Sequence, residues 1–384
     1  MIRATPEERD RLNATFAELC AIRSVFGEER AIADHVAAEL RAVGLEVDED
    51  ASAGTSGAGA GNLLARIPGP AGSRPERSVL LCAHLDTVPH DGVVEPVLED
   101  GAWVSAGDTI LGADNKAAVA MLIEVARRHA QAPAPIGVEL LFTTSEENGL
   151  WGAKAFDVGR LQSEFGYVFD QASPIGEIVV ASPTYYRIEA HFRGRAAHAG
   201  IRPEAGRSAI LAAARAVAAM PHGRIDAETT ANVGNIRGGA AGTNVVAEHC
   251  RFLAEARSLD AVKADAVVAR IVDAVHDAAN EPVCSCDVDV SVERLFTGYR
   301  HAPDAPSVVA AEEALRHCGY TPTRILTGGG TDANAFLTRD FPCTNLANGT
   351  EHNHEANERV SVAALEGMLD VTLALLDVLA AGTT

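Results

Sequence analysis

The sequence has few basic residues for its length and no dense set of cysteines. Its 384 residues include 32 Lys and Arg against 53 Asp and Glu, which gives a formal net charge of −21 at pH 7. A surface this acidic repels nucleic acids and anionic membranes, so we expect neither as a partner. The seven cysteines are scattered and odd in number. That pattern argues against a disulfide framework and is typical of reduced thiols in a cytoplasm.

Long apolar runs are also missing. No stretch of about 18 uncharged apolar residues occurs, so no membrane-spanning helix is predicted. The first ten residues are charged and have no apolar centre, from which we expect no signal peptide and a cytoplasmic location. Hydrophobic residues still make up 47% of the chain, an ordinary share for a globular protein. The length predicts two domains, or one large domain with an insertion.

Apolar runs alternate with helical patterns in the first half of the chain. Segments 78–83 and 136–143 are almost wholly apolar, as strands buried on both faces would be, and 116–129 between them is predicted to be a helix. This alternation predicts an α/β domain with an open, mostly parallel sheet. The stretch 51–61, rich in Gly, Ala and Ser, is predicted to be a flexible loop.

The pattern changes in the middle of the chain. Between residues 183 and 294, strands and helices follow in the order β-α-β-β-α-β, which predicts a ferredoxin-like α+β domain with one open sheet face. Alternating helices and strands resume after it. We therefore predict one α/β domain, formed by residues 1–182 and 295–384, with the α+β domain of residues 183–294 inserted into it.

Acidic residues and histidines cluster directly after several predicted strands. In an open α/β sheet, ligand sites form beyond the carboxyl ends of the strands, so these residues are candidates for one common site. Taken singly, each cluster also has an ordinary structural explanation, such as a helix cap or a turn. The clusters are His84-Leu85-Asp86, Gly112-Ala113-Asp114-Asn115, Ser145-Glu146-Glu147, Asp170 and His352-Asn353-His354.

Together the clusters predict a site for two metal ions. Two histidines and three carboxylates provide three ligands to each metal if one carboxylate bridges, which leaves room for a water. Asp86 is placed to hold the second ring nitrogen of His84. One of the two adjacent glutamates would bind metal while the other faces the water. Mixed histidine and carboxylate ligation suits zinc, with cobalt or manganese as alternatives.

Taken in order, these motifs resemble the M20 family of metallopeptidases and amidohydrolases over nearly the whole chain. Segments 112–118 and 328–333 are most similar to its peptidase T-like and glutamate carboxypeptidase-like branch. The resemblance implies two zinc ions with one bridging carboxylate. Its implied ligands are His84, Asp114 and Asp170 for one ion, and the bridging Asp114, Glu147 and His354 for the other.

The resemblance also implies how the reaction is catalysed. Glu146 would be the general base, taking a proton from the water and later giving one to the leaving amine. His354 is preferred to His352 as the ligand because Glu358 then completes the family's His-x-x-x-Glu pattern.

One position departs from the family pattern. A second Asp usually follows the bridging one, and this chain has Asn115 there. The family's peptide bond at this point is cis, so a cis Asp114–Asn115 bond is predicted. Because the second Asp is not a zinc ligand, activity is expected to survive the change.

The inserted segment resembles the family's lid and dimerisation domain, which implies a homodimer. His198 would reach the active site of the other subunit and donate a hydrogen bond to the tetrahedral oxyanion. A planar guanidinium suits the binding of a substrate carboxylate, the task implied for Arg257. The implied substrate contacts are Asn244, Arg257 and the backbone of Gly328, Gly329 and Gly330.

These roles imply a di-zinc metallopeptidase that hydrolyses an amide bond of a short peptide, with a tripeptide aminopeptidase preferred. A carboxypeptidase or an N-acyl-amino-acid deacylase of the same family is the alternative, since the sequence does not show what lies on the amine side of the scissile bond. A non-catalytic binding protein on this fold is a remote third, because fold alone does not guarantee activity.

Overall fold

The computed structural model describes residues 3–70 and 78–382, which divide into two compact units. The first unit runs from the amino terminus to Val180, includes His301–Leu326, and continues from Thr331 onward. The second unit is Ala181–Arg300 together with Thr327–Gly330. The glycine-rich stretch is therefore grouped with the inserted segment.

The helices and strands of the described residues follow one another along the whole chain. The α-helices are α1 (Pro6–Ala21), α2 (Arg30–Ala42), α3 (Ala53–Ser56), α4 (Ala113–Gln131), α5 (Trp151–Ala155), α6 (Ala209–Ala219), α7 (Ala261–Asn280), α8 (Pro306–Cys318), α9 (Asp332–Leu337) and α10 (Val362–Ala381). The strands of the first half are β1 (Val47–Glu49), β2 (Leu63–Ile67), β3 (Ser78–His84), β4 (Pro96–Glu99), β5 (Ala102–Ser105), β6 (Gly137–Thr143), β7 (Gly166–Gln171) and β8 (Glu177–Ser182). The remaining strands are β9 (Thr184–Arg193), β10 (Gly223–Arg224), β11 (Thr229–Gly238), β12 (His249–Ser258), β13 (Asp287–Phe296), β14 (Tyr299–Arg300), β15 (Thr323–Leu326), β16 (Cys343–Ala347), β17 (Thr350–Glu351) and β18 (Arg359–Ser361).

A large twisted sheet organises the first unit, in the order β1-β2-β6-β3-β7-β16-β8 with β15 beside β8. The four central strands are parallel, whereas β2 and β8 pair antiparallel at the flanks. All seven residues of β3 are buried, because helices cover both faces of a parallel sheet. The predicted open, mostly parallel α/β sheet is confirmed.

A smaller four-stranded sheet, in the order β17-β18-β5-β4, lies in the same unit. The β4–β5 hairpin turns at Asp100 and Gly101, which have φ angles of 49° and 77°. Both angles are positive, as the tight turn signalled by Asp-Gly requires. The antiparallel pairing of β18 with β5 places the segment that follows Glu358 against this hairpin.

The prediction of a loop at residues 51–61 is wrong in part, because the stretch contains a short helix. The stretch contains α3, and Asp50 Oδ1 accepts hydrogen bonds from the N–H groups of Ser52 (3.0 Å) and Asn62 (2.9 Å). Asn62 Oδ1 in turn accepts from the N–H of Thr144 at 3.1 Å. Composition suggested flexibility, but the flanking Asp50 and Asn62 order the loop through side-chain hydrogen bonds.

The second unit is a five-stranded antiparallel sheet in the order β10-β11-β12-β9-β13, with α6 and α7 packed on one face. Its core includes Phe192, Phe252 and Ile271, each fully buried. Strand β14 pairs antiparallel with Ala181 and Ser182. The predicted β-α-β-β-α-β order is present, with β10 as an additional short strand.

Two expectations from composition concern the whole described chain. All seven cysteines are free, and Cys284 and Cys286 are buried in the core of the second unit. Within residues 3–70 and 78–382, no helix has both the length and the apolar content needed to cross a bilayer.

Candidate metal centre

The predicted ligands come from separate segments and meet at one edge of the large sheet. His84 is the last residue of β3, Asp170 lies near the end of β7, and Asp114 is at the start of α4. Glu147 follows β6, and His354 lies between β17 and β18. Their ligand atoms form two groups, each within 4.8 Å: His84, Asp114 and Asp170, and Asp114, Glu147 and His354.

Asp114 lies between the two groups. Its Oδ1 is 3.3 Å from Nε2 of His84, and its Oδ2 is 3.3 Å from Nε2 of His354. Asp170 Oδ1 lies 3.7 Å from the same His84 nitrogen, and Glu147 Oε1 lies 2.9 Å from the same His354 nitrogen. Each oxygen of Asp114 thus faces a different histidine and carboxylate, as a carboxylate that bridges two cations must.

His84 presents one ring nitrogen to this cluster and uses the other to hold its orientation. The ring is 2% exposed, and Nδ1 lies 2.9 Å from the main-chain oxygen of Asp86. A hydrogen bond from Nδ1 leaves the lone pair of Nε2 for a metal. The Asp86 carboxylate is farther away, with Oδ1 at 3.6 Å from Nδ1. Asp86 therefore supports His84 mainly through its main chain.

The Asp86 carboxylate has another pair of close contacts. It is fully buried, and its two oxygens accept hydrogen bonds from the N–H groups of Glu146 (2.9 Å) and Glu147 (3.0 Å). The turn continues with Ser145 and Leu150 at φ angles of 57° and 64°. Residues other than glycine seldom adopt this conformation, and such positions concentrate at functional sites.

Glu146 is only 7% exposed. One of its carboxylate oxygens lies within 4.8 Å of ligand atoms of His84 and Glu147. It is therefore placed beside both ligand groups, within reach of a reacting group held there. The main-chain oxygen of Glu146 accepts from the N–H groups of Gly149 and Leu150, which closes the turn.

The structure distinguishes the two candidate histidines near the end of the chain. Nε2 of His354 contacts both Asp114 and Glu147, whereas His352 belongs to none of the ligand groups found among the described residues. His354 adopts a φ angle of 69° and is half exposed. An open position of this kind suits a ligand at the mouth of a site.

Asp170 is held by the neighbouring strand. Its N–H donates to Oδ1 of Asn345 at 2.9 Å, and Nδ2 of Asn345 donates back to the Asp170 carbonyl at 3.2 Å. Asn345 lies on β16, whose register places it beside Val168 of β7. This two-way bond directs the Asp170 carboxylate toward His84.

The predicted cis peptide bond between Asp114 and Asn115 is present. Asn115 is fully buried, and both polar atoms of its amide have no hydrogen-bond partner among the described residues. These two residues also depart from helical backbone angles inside α4.

The electrostatics of the cluster are those of a cation site. Burial and the charge of Asp114 raise the pKa of Asp170 well above its ordinary value. Burial and the charge of Asp170 raise the pKa of Glu146 in the same way. Burial opposes the ionisation of Asp114 as well, but hydrogen bonds to His354 and His84 hold its pKa below the usual range.

The pKa values of the two histidines are also raised. Hydrogen bonds to Asp114 and Glu147 raise the pKa of His354 to about 10. Burial opposes protonation of His84, but its contacts with Asp114 and Asp170 raise the pKa of that ring too. Buried carboxylates therefore outnumber the cations that face them, and metal ions would replace the histidine protons. The donor set of imidazoles and carboxylates fits zinc, cobalt or manganese.

Two of the predicted substrate-contacting residues are neighbours in the second unit. The N–H of Ala199 donates to the main-chain oxygen of Asn244 at 2.9 Å, and His198 pairs with Val245. Nδ1 of the exposed His198 accepts from the N–H of Gly200 at 3.2 Å. In the neutral ring the proton is then on Nε2, which leaves a free donor.

Arg257 is already engaged within the second unit. Its guanidinium donates from Nε and Nη2 to Glu255 at 3.2 and 3.1 Å, and from Nη1 to the main-chain oxygen of Gly328 at 3.1 Å. It also stacks over the ring of Tyr185 at 4.0 Å. A Cβ on Gly330 would lie 2.2 Å from the Phe296 ring, so close packing requires glycine there. Arg257 thus holds the glycine backbone in place.

Sequence reasoning did not assign a role to Glu358. Its buried carboxylate accepts three main-chain hydrogen bonds from the segment that carries Asp114. Its spacing from His354 could have identified it, but that spacing served only to favour His354 over His352 as the ligand. Asn62, whose amide ties the ordered loop to the Glu146 turn, left no comparable signal in the sequence.

Comparison with known proteins places the chain among peptidases. Residues 184–282 match the M20 peptidase dimerisation domain, and residues 62–170 match peptidase family M28. YqjE, an uncharacterized protein of Bacillus subtilis (strain 168), is 35% identical over 96% of this chain and 98% of its own length.

Two solved structures are also similar over almost their entire length. Aminopeptidase PepT from Bacillus cereus ATCC 10987 is 38% identical, with a TM-score of 0.86, and the match covers 97% of this chain and 99% of that one. A tripeptidase from Staphylococcus aureus subsp. aureus Mu50 is 34% identical, with a TM-score of 0.90 and the same coverage.

Proposed function

The chain belongs to the M20 family of metallopeptidases, in its peptidase T-like branch, and on that premise we propose that it is a di-zinc aminopeptidase of tripeptides. The similar aminopeptidase and tripeptidase support a peptidase that acts on short peptides. The observation that carries the finer proposal is the placement of Asp114, whose two oxygens face two separate pairs of ligands.

The proposed ligands divide into two sets that share Asp114. His84 and Asp170 complete one set, and Glu147 and His354 complete the other. Zinc at these positions would supply Lewis-acid polarisation of the scissile carbonyl and acidification of an attacking water. Three protein ligands at each position leave room for substrate, as catalytic sites require.

Glu146 is the proposed general base. It is buried beside both ligand sets and its main chain is fixed by Asp86, so its carboxylate can accept a proton at a defined point. The same carboxylate then holds that proton near the leaving nitrogen. Because Glu146 is buried, the proton that it holds exchanges less readily with bulk water.

The second unit supplies the proposed substrate contacts. We propose that Nε2 of His198 donates to the developing oxyanion in the active site of the other subunit, and that Asn244 and the backbone of Gly328, Gly329 and Gly330 contact the peptide. We propose that Arg257 binds the peptide carboxylate through the guanidinium N–H groups that do not donate to Glu255 or Gly328. The match to a dimerisation domain supports a homodimer, and the free cysteines support a cytoplasmic location.

A substrate panel tests the proposal. Zinc-loaded wild type and Glu146→Ala are given free tripeptides, amino-terminally blocked peptides, carboxyl-terminally amidated peptides and N-acetyl amino acids. We expect the wild type to release the amino-terminal residue of free tripeptides. The mutant should be inactive while it retains two zinc ions per chain, measured by mass spectrometry of the metal content.

Other outcomes identify the alternatives. Cleavage of only the blocked substrates that have a free carboxylate would make the enzyme a carboxypeptidase or a deacylase. If no substrate is cut and fewer than two metal ions bind, the proposal of a di-zinc peptidase is wrong. Loss of metal in Glu146→Ala would instead make Glu146 a ligand.

A further inference from the structure

Glu358 is a buried carboxylate that lies behind the proposed bridging ligand and outside the ligand set. Its side chain is 1% exposed. Oε2 accepts from the N–H groups of Leu111 at 2.9 Å and Gly112 at 2.7 Å, and Oε1 accepts from the N–H of Asp114 at 2.9 Å. Burial of an ionised carboxylate is unfavourable unless its oxygens are hydrogen-bonded, and these three bonds satisfy that need.

Two of these donors, the N–H groups of Gly112 and Asp114, belong to the start of α4, where a helix leaves N–H groups without partners, and Leu111 lies just before it. Gly112 is the residue that precedes α4, and no side chain nearby in sequence caps this end. Glu358 supplies the missing acceptor from a segment 244 residues away from Asp114. The three main-chain N–H groups are the hydrogen-bond donors to Glu358, and the buried Lys116 adds an electrostatic attraction.

The other end of this contact belongs to the segment that carries a second ligand. Glu358 follows His354 by four residues, and its own N–H donates to the main-chain oxygen of Glu355 at 3.0 Å. Strand β18 begins at the next residue and pairs with β5. One side chain therefore connects the turn of Asp114 to the turn of His354.

We propose that Glu358 is a positioning residue that fixes the orientation of Asp114 relative to His354, so that both metal positions are set together. The inference rests on the proposed ligands. Because Asp114 belongs to both sets, a change in its orientation weakens both metal positions.

The substitution Glu358→Gln isolates this effect. The amide keeps the shape of the side chain, but only one of its two terminal atoms accepts hydrogen bonds. If its oxygen accepts from Leu111 and Gly112, its NH2 group faces the N–H of Asp114, and two donors then oppose each other. Asp114 thereby loses the bond that holds its main chain.

Glu139 provides a matched control. It is also 1% exposed, and its Oε2 accepts from the N–H groups of Gln162 and Ser163, both at 2.9 Å. Arg66 donates to its other oxygen. Glu139 lies near the start of β6, whereas the ligands lie beyond the carboxyl ends of the strands. Glu139→Gln therefore removes an equally buried carboxylate at the other end of the sheet.

The experiment measures metal affinity without any peptide. The metal-free full-length variants are titrated with Zn²⁺ against a chelator of known affinity and with Co²⁺ by visible absorption. Circular dichroism and thermal unfolding check that each variant is folded. We expect Glu358→Gln to weaken both metal sites by about 10- to 100-fold and to change the Co²⁺ spectrum, as loss of a residue that orients ligands does. Glu139→Gln should bind metal as the wild type does.

Several outcomes would overturn the proposal. A folded Glu358→Gln variant with wild-type metal affinity shows that Asp114 is positioned without Glu358. An equal loss in Glu139→Gln shows a general effect of removing a buried carboxylate. If Glu358→Gln does not fold, Glu358→Asp, which draws the carboxylate back by about 1.5 Å, takes its place and should also weaken binding. If neither variant folds, Glu358 is a residue of the fold and not of the site. Because no peptide is used, the outcome is separate from that of the substrate panel.

Discussion

Asp86→Asn separates two tasks that this residue could perform. The Asp86 carboxylate accepts hydrogen bonds from the N–H groups of Glu146 and Glu147, while the ring of His84 is held mainly by the main-chain oxygen of Asp86. Asparagine preserves the main chain and the side-chain shape. It offers one acceptor in place of two, so one of the two glutamate N–H groups faces an NH2 group.

The magnitude follows from the bond that is lost. A hydrogen bond to a charged group contributes about 1.5–3 kcal/mol, and a buried donor left without a partner costs a similar amount. If the displacement of Glu146 raises the activation free energy by about 2 kcal/mol, kcat falls about 30-fold. The ring of His84 keeps its main-chain partner, so the metal content should be close to two ions per chain.

The assay is tripeptide hydrolysis by fully zinc-loaded enzyme, with kcat and KM determined separately and the metal content measured on the same samples. Asp260→Asn is the matched control, because Asp260 accepts from two consecutive main-chain N–H groups, of Val262 and Lys263, at the start of α7. Asn and Asp cap helices equally well, so this control should have wild-type activity. If Asp86→Asn loses metal but the reloaded enzyme has wild-type kcat, Asp86 acts on His84 and this account of the Glu146 turn is wrong.

Three further predictions concern the ligands, the packing and the charge of the first unit. His354→Ala should lose one of two zinc ions because His354 contacts Asp114, whereas His352→Ala should retain both; equal metal content in the two variants would contradict the assignment. Gly152→Ala would place a Cβ 2.0 Å from the main-chain oxygen of Thr144, so we expect a loss of about 1–3 kcal/mol in stability by urea unfolding, and an unchanged midpoint would refute it. Burial raises the pKa of Asp332 to about 6 in the folded protein. The neutral carboxyl, which suits the buried position, therefore stabilises the folded state at low pH, and this stability is lost as the pH rises through 6. Asp332→Asn should therefore raise the thermal midpoint of the metal-free protein at pH 8, with a gain that shrinks toward pH 4; a gain independent of pH would contradict this.

The sequence predicted the elements whose signals are local. The apolar runs at 78–83 and 136–143 became β3 and β6, because a strand buried on both faces is mostly apolar. The Asp100-Gly101 turn carries a local signal of the same kind, since few residue pairs adopt its backbone angles. The residues predicted as ligands were recognisable because each directly follows a strand or opens a helix, where an open sheet collects its functional side chains.

The loop at 51–61 shows where local signals fail. Its small residues predict flexibility, yet Asp50 and Asn62 order it through hydrogen bonds that composition does not record. Asn62 also accepts a hydrogen bond from Thr144, which is remote in sequence and adjacent only in the folded chain. The residue types on their own are compatible with either state.

The chemistry of the site was present in the sequence, and its geometry was not. The imidazoles and carboxylates, their order along the chain and the resemblance they carry could all be read from residue identities. Which oxygen of Asp114 faces which histidine, and which main-chain groups the carboxylates of Asp86 and Glu358 hold, were decided by the tertiary structure. The physical reason is that hydrogen bonds and ligand contacts act over about 3 Å between residues far apart in sequence, so only packing determines which of them meet.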